Sequence, residues 1–291
     1  MGTRLPGSNA NDSLCLRRVE VTGRRVTEAR VQRLAAQLGD SDRALVETLD
    51  RVRVATARQL ARLHAPDGTP ASGLRQTQTR LSRLTRLRIV ARLERQIGGV
   101  RAGSAGFVYA LDVAGQRLAS ACGPAGGVRL RRPWTPGAAF LAHSLAVSDL
   151  YVRLRESERT AQLDELLAFD GEPLCWRSFA GIGGGRVWLK PDAFVRIALG
   201  DFEDSYFVEV DRGTQSGPTI ARKLRTYRRY FDTGREQERN GVFPRVVFVA
   251  PDLTRKAALV DFAAEQPPDS WPLFRIVHDG EFPDALTAEA A

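Results

Sequence analysis

The sequence predicts a mixed α+β and α/β protein in two parts, an N-terminal winged helix-turn-helix and an α/β domain with a mixed central sheet. Residues 41–120 carry three helical patterns followed by two alternating strands, the order typical of a winged helix. Residues 138–280 alternate helical and strand-like patterns. Between them, residues 121–137 contain four Gly and three Pro, which is typical of a linker.

Length and composition exclude several classes of protein. At 291 residues the chain can bury one full core or two, and no apolar run approaches the ~20 residues of a membrane span. Residues 1–11 contain no apolar signal-peptide core, so we expect a cytoplasmic protein with no membrane partner. The three cysteines lie far apart, which fits neither a disulfide framework nor a zinc site.

The positive charge is concentrated in the first half. Residues 1–135 hold 24 Arg, no Lys and 10 acidic residues, a net charge of +14, whereas residues 136–291 have a net charge of −5. Arg outnumbers Lys 40 to 3; a codon bias explains that ratio but not the asymmetry between the halves. A basic half joined to an acidic half indicates a nucleic-acid-binding module attached to a second domain.

Capping residues and periodicity place the elements of the first half. Residues 1–40 are predicted to be a tail with one short helix, which Thr27 caps. Three helices follow, and each begins near a residue whose side chain can cap it: Ser41, Thr56 and Ser72. Segments 89–95 and 107–111 alternate as strands, and the glycine-rich segment 98–106 between them forms the loop of the wing.

The third of these helices has an apolar face and a basic face. At helical spacing, Leu74, Leu81 and Leu84 share the apolar face. A winged helix inserts its third helix in the major groove of duplex DNA and lays its wing along the backbone. The residues predicted to contact DNA are arginines of this helix and of the wing tip: Arg75, Arg80, Arg83, Arg86 and Arg101. The alternative is a small helical domain with a solvated basic face, or a protein-binding module.

The second half shows the order α-β-β-β-α-β-α-β. Helices are predicted at 138–157, 218–231 and 253–265. Strands are predicted at 174–179, 186–197, 206–211, 245–250 and 273–277. The fourth of these strands is almost continuously apolar, which indicates that both of its faces are covered. Residues 281–291 are predicted to be a loose tail.

Three acidic residues and a lysine form the candidate site. Strand alternation directs Asp192 away from the main core, with Lys190 beside it, and puts Glu209 and Asp211 on one face of the next strand. On the following helix, Lys223 lies within the apolar stripe and therefore points toward the sheet. A charged amine in that position requires a carboxylate partner, which Glu209 or Asp211 can provide.

This arrangement resembles the PD-(D/E)xK nuclease superfamily over roughly residues 138–250. The resemblance implies that Asp192, Glu209 and the Val210 carbonyl bind Mg²⁺ or Mn²⁺, which activates water against a phosphodiester. Asp211 stands where the superfamily usually has its lysine. Either Lys223 takes over that role, with Asp211 as an added ligand, or the site is impaired; Lys190 is a weaker substitute.

A second resemblance covers about residues 41–250. The motifs are His143-x-Leu-x-Val-x-Asp149, Lys190-Pro-Asp192, the run from Glu209 to Thr214 (EVDRGT), and the run from Arg222 to Tyr230 (RKLRTYRRY). Together they resemble the replication-relaxation family, which implies a role in the replication or relaxation of plasmid or mobile-element DNA.

Other interpretations of these residues stay open. Lys223, Lys190 and Arg212 can hold the acids as an ion-pair network without catalysis, and Arg212 is expected to pair with an acid in a turn. His143 either faces the metal site or is a structural histidine; it cannot form a dyad with Asp149, because six residues span about 240° of a helix.

Three functions are therefore considered. The first is a metal-dependent nuclease acting on duplex DNA. The second is a non-catalytic accessory protein that contacts a relaxase or a replication protein. The third is a winged-helix transcriptional regulator whose back domain only forms a homodimer or senses a signal.

Overall fold

The computed structural model describes residues 26–65, 67, 69–97, 106–122, 137–181 and 183–287. The predictions for residues 1–25, for Arg101 and for most of the linker lie outside the described residues.

The α-helices are α1 Glu28–Ala35, α2 Asp40–Val52, α3 Ala57–His64, α4 Pro70–Arg86, α5 Val113–Cys122, α6 Ala138–Arg159, α7 Gly217–Phe231, α8 Arg235–Asn240, α9 Leu253–Ala264 and α10 Asp284–Thr287. The strands are β1 Val54–Thr56, β2 Val90–Ile97, β3 Gly106–Leu111, β4 Glu165–Gly171, β5 Arg177–Ala180, β6 Arg186–Leu189, β7 Ala193–Leu199, β8 Phe202–Val210, β9 Arg245–Ala250 and β10 Phe274–His278.

The front part, α1 to α5 with β1 to β3, contains the predicted helices and strands. Its strands form an antiparallel sheet in the order β1-β3-β2. Thr56 caps α3 as predicted, since its Oγ1 accepts a hydrogen bond from the Gln59 amide at 3.2 Å. The cap of α4 is Thr69 instead of Ser72, because Pro70 suits the first position of a helix and extends it backwards. The cap of α2 is Gly39 instead of Ser41.

The start of α4 lies close to the end of α3. A Cβ on Gly73, in the first turns of α4, would lie 2.8 Å from the Ala65 carbonyl oxygen at the end of α3. A glycine at this position therefore lets α4 approach α3 closely.

The helix α5 was not predicted. Its sequence is rich in small residues, and Ala114, Leu118 and Ala119 are buried against the front part.

The back part, from α6 to α10, is built on a mixed five-stranded sheet in the order β10-β9-β8-β7-β4. The pairs β4–β7 and β7–β8 are antiparallel, whereas β8–β9 and β9–β10 are parallel. The strand β4 was not predicted. The strand predicted over 186–197 is divided, because Pro191 cannot donate a ladder hydrogen bond, and its first portion pairs with β5 in a separate two-stranded sheet.

The helix α6 joins the two parts. Gln59 of α3 donates to the Leu145 carbonyl at 3.0 Å, and Ser148 donates to the Val54 carbonyl at 2.6 Å. Arg62 of α3 donates to Asp149 at 2.8 Å. A single buried hydrophobic cluster includes side chains of both parts. The back part is thus held against α3, while α4 packs mainly on α3 and β2.

The prediction of a loose tail from residue 281 is wrong for the residues that the structure describes. Phe282 and Leu286 are each only 1% exposed and belong to the shared core. The Tyr206 hydroxyl donates to the Leu286 carbonyl at 3.0 Å. Two apolar side chains four residues apart thus anchor this segment in the core. Among the described helices, none has the length and hydropathy that spanning a membrane requires.

Candidate functional site

Asp192 and Glu209 meet at one end of the sheet. The register of β7 with β8 pairs Ala193 with Val208, and one further residue places Asp192 opposite Glu209. The Asp192 amide donates to the Val208 carbonyl at 3.0 Å, and Asp192 Oδ2 accepts from the Val210 amide at 2.7 Å. The first hydrogen bond fixes the backbone of Asp192 and the second fixes its carboxylate. Both acids are nearly buried, at 8% and 1% exposure.

Glu209 is held by two side chains of α7. Lys223 Nζ donates to Glu209 Oε2 at 2.6 Å, and the Tyr227 hydroxyl donates to Oε1 at 2.6 Å. Lys223 and Tyr227 are four residues apart and lie on the same face of α7. The prediction that Lys223 points toward the sheet and pairs with a carboxylate is confirmed by this contact.

The site has perturbed protonation equilibria. Burial raises the pKa of Glu209, and the Lys223 ammonium only partly opposes this effect. Burial by itself lowers the pKa of Lys223, but attraction from Glu209 and Asp192 overcomes it, so the pKa of Lys223 is raised. Burial and the Glu209 charge also raise the pKa of Tyr227. The Lys223–Glu209 pair is thus coupled electrostatically to Asp192, whose charge raises the pKa of both groups.

His143 reaches the site from α6. Its Nε2 lies 3.0 Å from Asp192 Oδ1. This hydrogen bond raises the pKa of His143, although burial opposes it. This contact puts His143 beside Asp192, and it is compatible with both predicted roles, a residue that faces the site and a hydrogen-bonded structural histidine. Asp149 of the same helix bonds Arg62 instead, in agreement with the prediction that the two do not form a dyad.

The histidine contact gives a prediction for solution. The Asp192→Asn variant is expected to lower the pKa of His143 toward its ordinary value of 6.5, because the carboxylate that favours the imidazolium is removed. An NMR titration of the imidazole signals measures this. His64 is the internal control: burial lowers its pKa to about 4, and the substitution leaves it unchanged. A His143 pKa that does not respond to Asp192→Asn contradicts the contact.

Three other predicted site residues have different surroundings. Asp211 Oδ2 accepts from Arg255 Nε at 2.8 Å and forms an ion pair with Arg255 Nη2 at 2.7 Å, and Oδ1 accepts from the Gly213 amide. Arg212 is exposed and forms no ion pair with an acid in the part of the chain that the structure describes, so its expected pairing is wrong; Arg255 of α9 pairs with Asp211 instead. Lys190 lies over the Trp176 ring, 4.4 Å from its centroid. Lys190 forms no ion pair with Asp192. The strand β6 ends at Leu189, so Lys190 and Asp192 do not continue one strand.

Sequence reasoning missed two residues of the site. Tyr227 was assigned to the apolar stripe of its helix, although a buried tyrosine hydroxyl usually finds a hydrogen-bond partner, which was an available signal. Arg255 lies 44 positions after Asp211. Nothing in the spacing of the sequence connects these two residues.

The nuclease resemblance implies a divalent metal, and the carboxylate pair fits one in its chemistry. Mg²⁺ is commonly bound through one or two carboxylates, with waters and substrate phosphate completing its shell. Asp192 and Glu209 supply two such groups, and each bonded oxygen keeps a second acceptor position. Over the described ranges, no group of three or more His, Cys, Asp or Glu could hold a metal. The fit therefore requires the substrate as an additional ligand source.

The basic face of α4 is partly committed to the fold. Arg75 and Arg86 are exposed, and Arg80 is half-buried near His64. Arg83 forms an ion pair with Asp42, whose side chain also accepts from the Gly39 amide at the start of α2. The Arg83 side chain therefore packs against α2 through Asp42, whereas Arg75 and Arg86 extend into solvent.

One comparison with known proteins identifies a family. The family model described as replication-relaxation matches residues 46–246, about two thirds of the chain. The matched range includes α3, α4 and every residue of the Asp192–Glu209–Lys223 site. No curated protein and no solved structure matches the chain. The chain belongs to the replication-relaxation family.

Proposed function

We propose that this protein binds duplex DNA through its front part and cleaves or nicks the DNA backbone at the Asp192–Glu209–Lys223 site, in the replication of a plasmid or mobile element. Membership of the replication-relaxation family suggests the biological setting. The observation that carries the chemistry is the convergence of two buried acids and one ammonium group, with Lys223 Nζ 2.6 Å from Glu209.

The topology of the back part supports this proposal. Apart from the short helix α8 and the separate β5–β6 hairpin, the sheet strands and helices follow the order α6-β4-β7-β8-α7-β9, which is α-β-β-β-α-β. Asp192 immediately precedes the second strand of this series, and Glu209 is near the end of the third. The PD-(D/E)xK nucleases that the sequence resembles have the same order, with the acids in these places. Lys223 approaches from the following helix instead of from position 211.

Each side chain has a definite part in this proposal. Asp192 and Glu209 would hold the cation, and the Val210 amide and Tyr227 keep these carboxylates in place. A Mg²⁺ or Mn²⁺ ion bound there would lower the pKa of its water and stabilise charge on the phosphate. Lys223 provides a second positive charge, which stabilises negative charge that develops on a phosphate oxygen.

The front part supports DNA binding. The series α2-β1-α3-α4-β2-β3 gives three helices and an antiparallel hairpin, as expected for a winged helix. The helix α4 packs on α3 and β2 and presents exposed Arg75 and Arg86 on its outer face. Basic groups on an exposed helix can neutralise phosphates of a duplex.

The cleavage of supercoiled plasmid tests the proposed function. The full chain with Mg²⁺ or Mn²⁺ is expected to convert the plasmid to open circles, and Asp192→Asn is expected to lower the rate by about a hundredfold or more. The matched control is Asp232→Asn, which removes an exposed carboxylate that pairs with Arg228. Chelation of the metal stops the wild-type reaction if the assignment is right. Equal rates for Asp192→Asn and wild type overturn it.

A second candidate is the accessory protein that binds DNA without cutting it. The observation that favours it is that every carboxylate oxygen of Asp192 and Glu209 already has a protein donor. A closed ion-pair network of this kind can be structural. This candidate predicts salt-dependent duplex binding that survives Glu209→Gln, with no cleavage by the wild type in either metal.

A further inference from the structure

The sheet of β5 and β6 has one packed face and one exposed aromatic and basic face. Val187 and Leu189 of β6 pack into the core between the main sheet and α7. The alternate residues point the other way: Arg186, Trp188 and Lys190 are all exposed, and Trp188 keeps 49% of its surface in solvent. A half-exposed tryptophan between two cations is not explained by packing of the hairpin.

The exposed face is built as a platform. The rings of Trp176 and Trp188 lie 6.3 Å apart in an edge-to-face arrangement. Lys190 Nζ lies 4.4 Å from the centroid of Trp176, and the Arg186 guanidinium lies 6.0 Å from that of Trp188. The contacts to Trp176 orient Trp188 while its outer surface stays open to solvent.

The charge of this face is complementary to nucleic acid. The segment 174–190 contains two Arg and one Lys, and no Asp or Glu. Arg177 is committed to Glu236 at 2.7 Å, but Arg186 and Lys190 extend beside the aromatic rings. Bases stack on aromatic side chains, and cations beside them bind the backbone; this is how proteins bind single strands.

The position of the platform connects it to the site. Trp188 precedes Asp192 by four residues, so their Cα atoms are at most about 14 Å apart. We propose that Trp188, with Arg186 and Lys190, binds single-stranded DNA by stacking an unpaired base beside the Asp192–Glu209–Lys223 site. This deepens the proposed function and rests on it for the identity of the substrate. A duplex hides its base faces, so the platform favours a strand that has been opened.

Fluorescence anisotropy of a labelled oligothymidylate of about 16 nucleotides, a length that one single-strand-binding fold can cover, tests the proposal. The full chain is used without metal. Trp188→Ala is expected to weaken binding about tenfold and Trp188→Phe to retain most of it. The matched control is Trp271→Ala, since Trp271 is 47% exposed but lies in the 3-10 helix before β10. Equal binding by the Trp188→Ala and Trp271→Ala variants overturns the proposal.

The cations give a second, independent readout. Replacing Arg186 and Lys190 with alanine together is expected to reduce the slope of log K against log salt by about 1.4, the value for two contacts on a single strand. An unchanged slope, or a wild type that does not bind the oligonucleotide, overturns the proposal and favours a protein partner. Loss of single-strand binding in Trp188→Ala without plasmid cleavage by the wild type supports the platform and not the nuclease. Plasmid cleavage by the wild type, together with unchanged single-strand binding by Trp188→Ala, overturns the platform proposal and leaves the nuclease proposal intact.

Discussion

Replacing Lys223 with methionine is expected to lower the free energy of unfolding by about 3–5 kcal/mol at about pH 8, because it leaves a buried carboxylate without its cation. Glu209 is 1% exposed, and Lys223 Nζ is its nearest positive charge at 2.6 Å. The hydrogen bond from Tyr227 remains but carries no charge. Urea denaturation of the wild type and the variant measures this difference.

The cost has a definite pH dependence. The pKa of Glu209 in the folded protein is raised above its ordinary value of 4.5 by burial. A group of this kind contributes stability below its unfolded pKa and loses it as pH rises through its folded pKa. Without Lys223 the folded pKa rises further. The variant therefore goes on losing stability to a higher pH than the wild type does, and the difference between them shrinks in acid.

Lys256→Met is the matched control for this experiment. Lys256 pairs with Glu281 at 2.7 Å, but the side chains are 28% and 37% exposed. The Lys223–Glu209 side chains are 25% and 2% exposed. An ion pair as open as the first contributes at most about 1 kcal/mol. Equal losses in the two variants, independent of pH, contradict the interpretation of Glu209 as a charged group that depends on Lys223.

Replacing Arg75 and Arg86 together with alanine is expected to weaken duplex binding and to reduce its salt dependence. Two lost phosphate contacts lower the slope of log K against log salt by about 1.8. Both side chains are exposed on α4, so the fold is expected to be unaffected. Anisotropy of a labelled duplex over a range of salt concentrations measures the slope.

The control for α4 removes the same charge elsewhere. Arg196 of β7 and Arg239 of α8 are both exposed, and their double alanine variant has the same net charge. It is expected to retain the wild-type slope. If both double variants reduce the slope equally, the effect follows from net charge and α4 is not the DNA-binding helix.

The sequence predicted best where one pattern decided the structure. The helical period of Ile220, Leu224 and Tyr227 alone placed Lys223 against the sheet, and the contact with Glu209 confirms it. The continuous apolar run at 245–250 predicted β9, and all but Arg245 of its residues are buried. In both cases burial of apolar surface imposes the geometry.

The prediction failed where distant segments or a single residue decided the outcome. A strand pattern continued through Pro191, but a proline ends ladder pairing, and Lys190 consequently joined Trp176 instead of Asp192. The partner of Asp211 comes from α9, and that of Asp192 from α6. Tertiary packing selects such partners, and local periodicity carries no information about them.

The most direct measurement of the central claim is the conversion of supercoiled plasmid to open circles by the wild type and by Asp192→Asn in parallel. The account predicts conversion by the wild type that requires Mg²⁺ or Mn²⁺ and is lost in the variant, while the folded structure of the variant is retained. Metal-independent conversion, or the same conversion by both proteins, would contradict the assignment of Asp192, Glu209 and Lys223 as the site that acts on DNA.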